Sequence, residues 1–217
     1  MIKLSKRLAA VAALVPQDAS VIDVGTDHGM LPVWLVQNGC VKRAFGSDIH
    51  EEPLKRAEQL VSENGLADRI ILRVCDGLQS FSRSVADCVV MAGMGGETMI
   101  HILTEAPWTK EDVVLILQPQ TKVSQLRMWL HDNGYSIGTE TLVKDMGRIY
   151  PVFTAKYGQT QTYSPAEYVF GHTEQIAGHP LLDEYADIVL HRMEKALPHD
   201  SEAGSLYTEI IQWRERL

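Results

Sequence analysis

The chain has 217 residues, 45% of them hydrophobic, which is long enough to bury a core. No window approaches the roughly 18 consecutive apolar residues of a transmembrane helix, so we expect no membrane association. The net charge of −8 argues against broad nonspecific affinity for nucleic acid, and the three cysteines lack the spacing of a disulfide framework or a metal site, which favours a reducing, cytoplasmic setting.

The chain begins MIKLSKRLAAVAALVPQD, a basic and apolar stretch that resembles a signal peptide. Lys6 and Arg7 stand among apolar residues at helical spacing, which favours an amphipathic helix instead. From residue 20 onward, short β-branched runs alternate with helical patterns. The predicted strands are 20–25, 43–49, 69–77, 86–93 and 112–119, then an antiparallel pair at 135–145 and 148–158. The predicted helices are 30–39, 50–66, 96–106 and 123–134.

This alternation predicts an α/β fold, a Rossmann-like and mostly parallel sheet with a final antiparallel strand and helices on both faces. After residue 158, the polar stretch QTQTYSP precedes two helical patterns at 181–197 and 203–217, which could pair as a hairpin. We therefore expect two domains, an α/β domain of residues 1–158 and a small helical domain of residues 159–217. The second is strongly acidic, with four Lys or Arg against ten Asp or Glu.

The turn after the first predicted strand has the sequence GTDHG, preceded by an acid within the strand. Ligands of open α/β sheets bind at the carboxyl ends of strands, and glycine lets the backbone pass close to them. A nicotinamide or flavin site would require G-x-G-x-x-G, and the carboxylates here would repel a diphosphate. S-adenosylmethionine carries a sulfonium and an ammonium and suits the turn better. The predicted cofactor residues here are Asp23, Gly25, Thr26, His28 and Gly29.

The ends of the next two strands supply further candidates for the same cofactor. Asp48 ends the second strand about 23 residues after Gly25, where an acid commonly accepts hydrogen bonds from ribose hydroxyls. Ile49 follows it directly. Asp76 and Gly77 end the third strand, where the adenine edge would pass.

Two segments after the fourth and fifth strands complete the predicted site. The segment AGMGGE places Ala92, Gly93 and Met94 beside the cofactor, because closely spaced glycines allow close backbone approach. Gln118 in the segment QPQ brings an amide to the same edge, and an amide can both donate to and accept from a base. The histidines show no metal-ligand spacing, so we expect no metal.

Several segments together resemble one family. They are LSKRLAAVAALVP, VIDVGTDHGMLPVWLVQNG, VVMAGMGGETMIHIL, LILQPQ and LRMWLHDNGY, and they resemble the bacterial tRNA (adenine-22-N1)-methyltransferase family. The resemblance covers residues 1–158 and continues loosely beyond them. It implies a class I methyltransferase domain with a small helical domain, and methyl transfer from S-adenosylmethionine to N1 of an adenine in tRNA.

The resemblance also implies roles at the reacting base. Many amino-methyltransferases carry Asn or Asp and two prolines after the fourth strand, whereas this chain has GMGG there. The acceptor for the adenine N6 group is then a backbone carbonyl of that loop, Asp27 or Gln118. Met94 would pack against base or cofactor. We therefore expect the catalytic residues to be Asp27, Met94, Gly95 and Gln118.

The acidic net charge requires a local basic surface if tRNA is the partner. Candidates for that surface are Lys3, Lys6, Arg7, Lys42 and Arg43, with Lys122 and Arg127. The alternatives are a methyltransferase with another acceptor, a non-catalytic cofactor-binding module, and a nicotinamide dehydrogenase, which the missing G-x-G-x-x-G disfavours. The oligomeric state stays open, with a slight preference for a monomer.

Overall fold

The predicted strands and helices recur, with small shifts at their ends, in a computed structural model that describes residues 2–196 and 201–217. The strands are β1 Ser20–Val24, β2 Arg43–Asp48, β3 Ile70–Val74, β4 Cys88–Met94, β5 Val114–Pro119, β6 Tyr135–Asp145 and β7 Arg148–Tyr157. The helices are α1 Lys6–Ala13, α2 Met30–Gln37, α3 Glu51–Glu63, α4 Gly96–Glu105, α5 Val123–Asp132, α6 Pro165–Phe170, α7 Thr173–Ile176, α8 Leu182–Ala196 and α9 Ser201–Glu215. A 3₁₀ helix, Pro107–Lys110, precedes β5.

The sheet has the strand order β3-β2-β1-β4-β5-β7-β6. β1 to β5 run parallel, and β7 is antiparallel to both β5 and β6. The predicted mostly parallel sheet with a final antiparallel strand is thereby confirmed. The order reverses between β1 and β4, and the carboxyl ends at such a reversal are where α/β proteins bind ligands.

Both faces of the sheet are buried, because neighbouring residues of each strand point to opposite sides. On one side, Val21 belongs to a core that includes Leu31 and Val33 of α2. On the other side, Ile22 packs in a core with Met99 of α4 and Leu126 of α5. This double burial explains the nearly continuous apolar strands.

The first helix forms as predicted. Its N-cap is Ser5, whose hydroxyl accepts a hydrogen bond from the N–H of Leu8 at 3.2 Å. Lys6 is exposed while Val11 is fully buried against the sheet, as expected of an amphipathic helix. None of the helices in the described residues is both long and apolar enough to cross a membrane.

The segment after residue 158 contains two short helices that the sequence pattern did not reveal, α6 and α7. Ser164 and Glu167 form a reciprocal capping box at the start of α6, a sequence signal that could have located it. Phe170 of α6 stacks on Trp213 of α9 at 5.0 Å between ring centroids. The predicted helices at 181–197 and 203–217 correspond to α8 and α9, and residue 197 lies outside the described residues.

The helical segment packs on α5 and on the β6–β7 pair, and a buried ion pair lies at that boundary. Arg127 and Glu140 are fully or almost fully buried, and the guanidinium donates to the carboxylate at 2.7 Å. Arg127 also donates to the carbonyl of Val169 at 2.9 Å, and Glu140 accepts from the N–H of His172 at 3.3 Å. Arg127 therefore joins the sheet to α6, and the expectation that it forms part of an exposed basic surface is wrong.

Candidate active site

The turn after β1, residues 25–29, is held by its own hydrogen bonds. The N–H groups of Gly25 and Thr26 both donate to the carbonyl of Ser47, at 2.8 and 2.9 Å, and the N–H of Gly29 donates to Thr26. Gly25 and Gly29 both have φ of 70°. Because these N–H groups are occupied, they offer no cradle for the diphosphate of a dinucleotide.

Asp23 lies beneath this turn and is almost completely buried, 5% exposed. Its carboxylate accepts a hydrogen bond from the Thr26 hydroxyl at 2.7 Å. Burial raises the pKa of Asp23 to about 7, against the opposing effects of the Thr26 hydrogen bond and the nearby Arg7 charge. A buried carboxyl with one neutral partner is poised to accept a cation.

At the end of β2, Asp48 is fixed by two backbone groups. Its oxygens accept from the N–H of His50 at 2.9 Å and, more weakly, from the N–H of Asp27 at 3.4 Å. Ile49 next to it is 58% exposed, so its apolar side chain is accessible at this edge of the sheet. At the end of β3, the carbonyl of Gly77 accepts from the Ser47 hydroxyl at 3.0 Å. These contacts hold the ends of the three strands together.

The β4 loop, by which we mean residues 92–96 from the irregular end of β4 to the first residue of α4, closes the other side. The β4–β5 register shifts between Ala92 and Met94, so that Gly93, with φ of 89°, bulges outward. The Met94 methyl group lies 3.2 Å from where a Cβ would stand on Gly25, so a side chain there would have to displace it. Gly95 is the N-cap of α4. The loop is thus pressed against the first turn.

Between the two loops lies a pocket of about 220 Å³. Its walls are the first turn with Asp23, the loop residues Ala92 and Gly93, and Arg7 and Leu8 from α1. Among the predicted cofactor residues, Asp23, Gly25, Thr26, His28, Ala92 and Gly93 line it. Four others lie further along the carboxyl edge of the sheet: Asp48, Ile49, Asp76 and Gly77. Gly29 lies behind the turn, against Ala57. The sequence therefore predicted a set that the fold assembles along one edge.

Arg7 is the pocket residue that sequence reasoning placed elsewhere, on a basic surface. Its guanidinium donates to the side-chain oxygen of Gln118 at 2.7 Å and lies against Gly93. Its backbone N–H donates to Asp145 at 3.2 Å. The two hydrogen bonds join residues more than 100 positions apart in the chain, so no local sequence pattern predicts them.

The predicted catalytic residues occupy different environments. Asp27 lines the pocket, and its carboxylate is 64% exposed beside His28, at 3.6 Å. Gln118 is fully buried, its oxygen accepting from Arg7 and its amide donating to the carbonyl of Pro119 at 3.1 Å. Direct contact of Gln118 with a base stays a prediction, and its present contacts instead orient Arg7.

The predicted basic surface is not assembled as one patch. Arg43 begins β2 and Lys42 precedes it, so both lie at the amino edge of the parallel strands, opposite the pocket. Lys42 faces Asp18 at 3.8 Å. Within residues 2–196 and 201–217, no group of His, Cys, Asp or Glu side chains could hold a metal ion.

Comparisons with known proteins identify this arrangement. A methyltransferase-domain family model matches residues 4–153. The tRNA (adenine(22)-N(1))-methyltransferase of Bacillus subtilis is 32% identical over 97% of this chain and 87% of its own length. The chain belongs to this methyltransferase family.

Solved structures agree with the family. A Streptococcus pneumoniae structure in complex with S-adenosyl-L-methionine superposes with a TM-score of 0.84 and 31% identity, covering 98% of this chain and 99% of that one. M. capricolum TrmK in complex with S-adenosyl-homocysteine superposes with a TM-score of 0.83 and 26% identity, covering 98% and 97% of the two chains. The likeness to these solved structures therefore reaches beyond residues 4–153, which the family model matches, and includes most of the helical segment.

Proposed function

We propose that this methyltransferase transfers the methyl group of S-adenosylmethionine to N1 of adenine 22 in tRNA. The observation that carries the proposal is the pocket between the β1 and β4 loops, in a chain that aligns almost end to end with an enzyme of that name. The tRNA is thus the partner and S-adenosylmethionine the methyl donor.

The site residues fit this donor. Asp48, anchored by two backbone N–H groups, is placed to accept hydrogen bonds from ribose hydroxyls, and the exposed Ile49 offers an apolar surface to the adenine ring. The cationic methionine moiety of the donor would lie beside Asp23 and the first turn. The edge of its adenine ring would lie beside Asp76 and Gly77. When bound, the donor supplies an electrophilic methyl group on its sulfonium.

The remaining tasks are orientation and charge stabilisation. Adenine N1 carries its own lone pair, so the chain must align the base and exclude water and does not need a strong base. Methyl transfer leaves a positive charge on the base, which an acceptor near N6 would stabilise. Asp27 meets this need because its exposed carboxylate lies on the pocket wall. Met94 and Gly95 shape the adjoining loop, and Gln118 orients Arg7.

We also infer that the chain consists of two domains. Residues 1–158 hold the cofactor site, and residues 159–217 form a helical domain with its own apolar core, which includes Phe170 and Trp213. A tRNA substrate places the enzyme in the cytoplasm, and the three free thiols are consistent with reducing conditions.

The test uses unmodified tRNA transcript and methyl-labelled S-adenosylmethionine, followed by digestion and mass spectrometry of the nucleosides. We expect 1-methyladenosine with the natural transcript and none with a transcript that carries guanosine at position 22. Asp48→Ala should abolish the product because the ribose loses its acceptor. Asp68→Ala, at an exposed acid outside the site, is the matched control and should retain it. Cofactor binding without label in tRNA would move the reaction to another methyl acceptor.

A further inference from the structure

A second and larger cavity, a cleft of about 720 Å³, lies between the sheet and the helical segment. Its walls are the β5–α5 connection, the β6–β7 turn and α8, and its volume falls within the roughly 300–1,000 Å³ of typical ligand sites. The site described above uses neither α8 nor the β6–β7 turn.

The cleft adjoins the loop that closes the active-site pocket, although the two cavities share no lining residue. The N–H of Gln120 donates to the carbonyl of Met94, and the N–H of Gly96 donates to the carbonyl of Thr121, both at 2.9 Å. The wall formed by Gln120 and Thr121 is therefore bonded directly to the loop that faces the cofactor pocket. A polymer with one nucleotide in the active site would have its neighbouring nucleotides at this wall.

The charge of the cleft is opposite to that of the chain. It contains three cations, Lys122, Arg148 and Arg192, and no Asp or Glu lines it, although the chain carries a net charge of −8. In the part of the chain that the structure describes, neither Arg148 nor Arg192 takes part in an ion pair, and both are exposed. On α8, Glu184 is held by Lys144 at 2.6 Å.

The two arginines come from different parts of the chain. Arg148 begins β7 at the hairpin turn, and Arg192 projects from α8 of the helical segment. Apolar side chains, Ile188, Val189 and Met193, line the helical wall beside Arg192. The cleft therefore offers cations for phosphates, and the aromatic rings of Tyr150 and Tyr185 also line it. Cations together with aromatic rings are typical of proteins that bind single strands.

We propose that this cleft binds the tRNA strand that flanks the target adenine, with Arg148 and Arg192 contacting its phosphates from two sides. The inference rests on the proposed function, since it takes tRNA as the substrate. It also explains how a strongly acidic helical segment can help to hold a polyanion, because the cation that it presents to the cleft is Arg192.

The test compares two double variants, each of which removes two positive charges. Arg148→Gln with Arg192→Gln alters the cleft, whereas Lys42→Gln with Arg43→Gln alters the opposite edge of the sheet. Binding of tRNA would be measured by fluorescence anisotropy over a series of salt concentrations. We expect the cleft variant to lose about tenfold in affinity and its slope of log affinity against log salt to shrink by about two. The control variant should match the wild type.

Two further measurements separate the possible failures. Calorimetry with S-adenosylmethionine should give the same affinity for all three proteins, which shows that the variants are folded. Unchanged tRNA affinity in the cleft variant, or an equal loss in the control, would overturn the cleft while methylation of adenine 22 by the wild type still upholds the function. Absence of that methylation in the wild type would overturn the function itself.

Discussion

Asp23→Asn should stabilise the cofactor-free enzyme while weakening cofactor binding. Asp23 is almost completely buried, and its one hydrogen-bonding side-chain partner is the Thr26 hydroxyl. An amide oxygen can still accept that hydrogen bond, so the substitution keeps the contact and removes the buried charge. Removing the charge also removes the group that we expect to face the cationic donor.

The magnitude follows from the pKa of Asp23. Burial raises it to about 7 from the ordinary value of 3.8 that applies to an unfolded chain. The protonated Asp23 side chain therefore makes its full contribution to folding stability below the pKa of the unfolded chain. That contribution is lost as the pH rises through the pKa of the folded protein. Each unit of difference corresponds to about 1.4 kcal/mol, so ionised Asp23 lowers the free energy of unfolding by about 4 kcal/mol above neutral pH.

The assay is urea unfolding of cofactor-free wild type and Asp23→Asn at several pH values. The variant should gain about 2–3 kcal/mol on the wild type between about pH 5 and about pH 8, because only the wild type must ionise the buried group. Asp76→Asn, at an exposed acid on the same edge, should show no such pH-dependent gain. Parallel pH profiles for Asp23→Asn and wild type would refute the reasoning.

Two further substitutions test other parts of the structure, each against a matched control. Arg127→Leu should cost about 3–5 kcal/mol in urea unfolding because it leaves a buried carboxylate without its partner. Arg214→Leu removes two surface ion pairs, with Asp183 and Asp187, and should cost under about 2 kcal/mol. Equal losses would contradict the importance of burial for the first pair. Gly29→Ala should lower the melting temperature and the cofactor affinity more than Gly39→Ala. Both glycines have nearly the same positive φ, but a Cβ on Gly29 would stand 3.0 Å from the Ala57 Cβ, whereas nothing lies within 4 Å of one on Gly39. Similar effects of the two glycine variants would show that backbone strain alone matters.

Local sequence patterns were enough to predict the sheet and most of the residues at the edge where we propose that the cofactor binds. Strand and helix periodicities are local, and so are the turn glycines and the acids at strand ends. Asp23, Gly25 and Asp48 could therefore be placed from their positions relative to the strands, because parallel strands bring their carboxyl ends to one edge. The short helix α6 was missed, although the Ser164 and Glu167 spacing carries a capping signal.

The surroundings of the long cationic side chains could be learned only from the folded chain. Arg7, Arg127 and Lys42 look alike as charged residues in the sequence. In the structure, Arg7 lines the pocket between the β1 and β4 loops, Arg127 is fully buried, and Lys42 lies at the far edge of the sheet. Their partners, Gln118 for Arg7 and Glu140 for Arg127, are set by strand order and by packing between distant segments. No local periodicity encodes such pairings, because they exist only after the chain has folded.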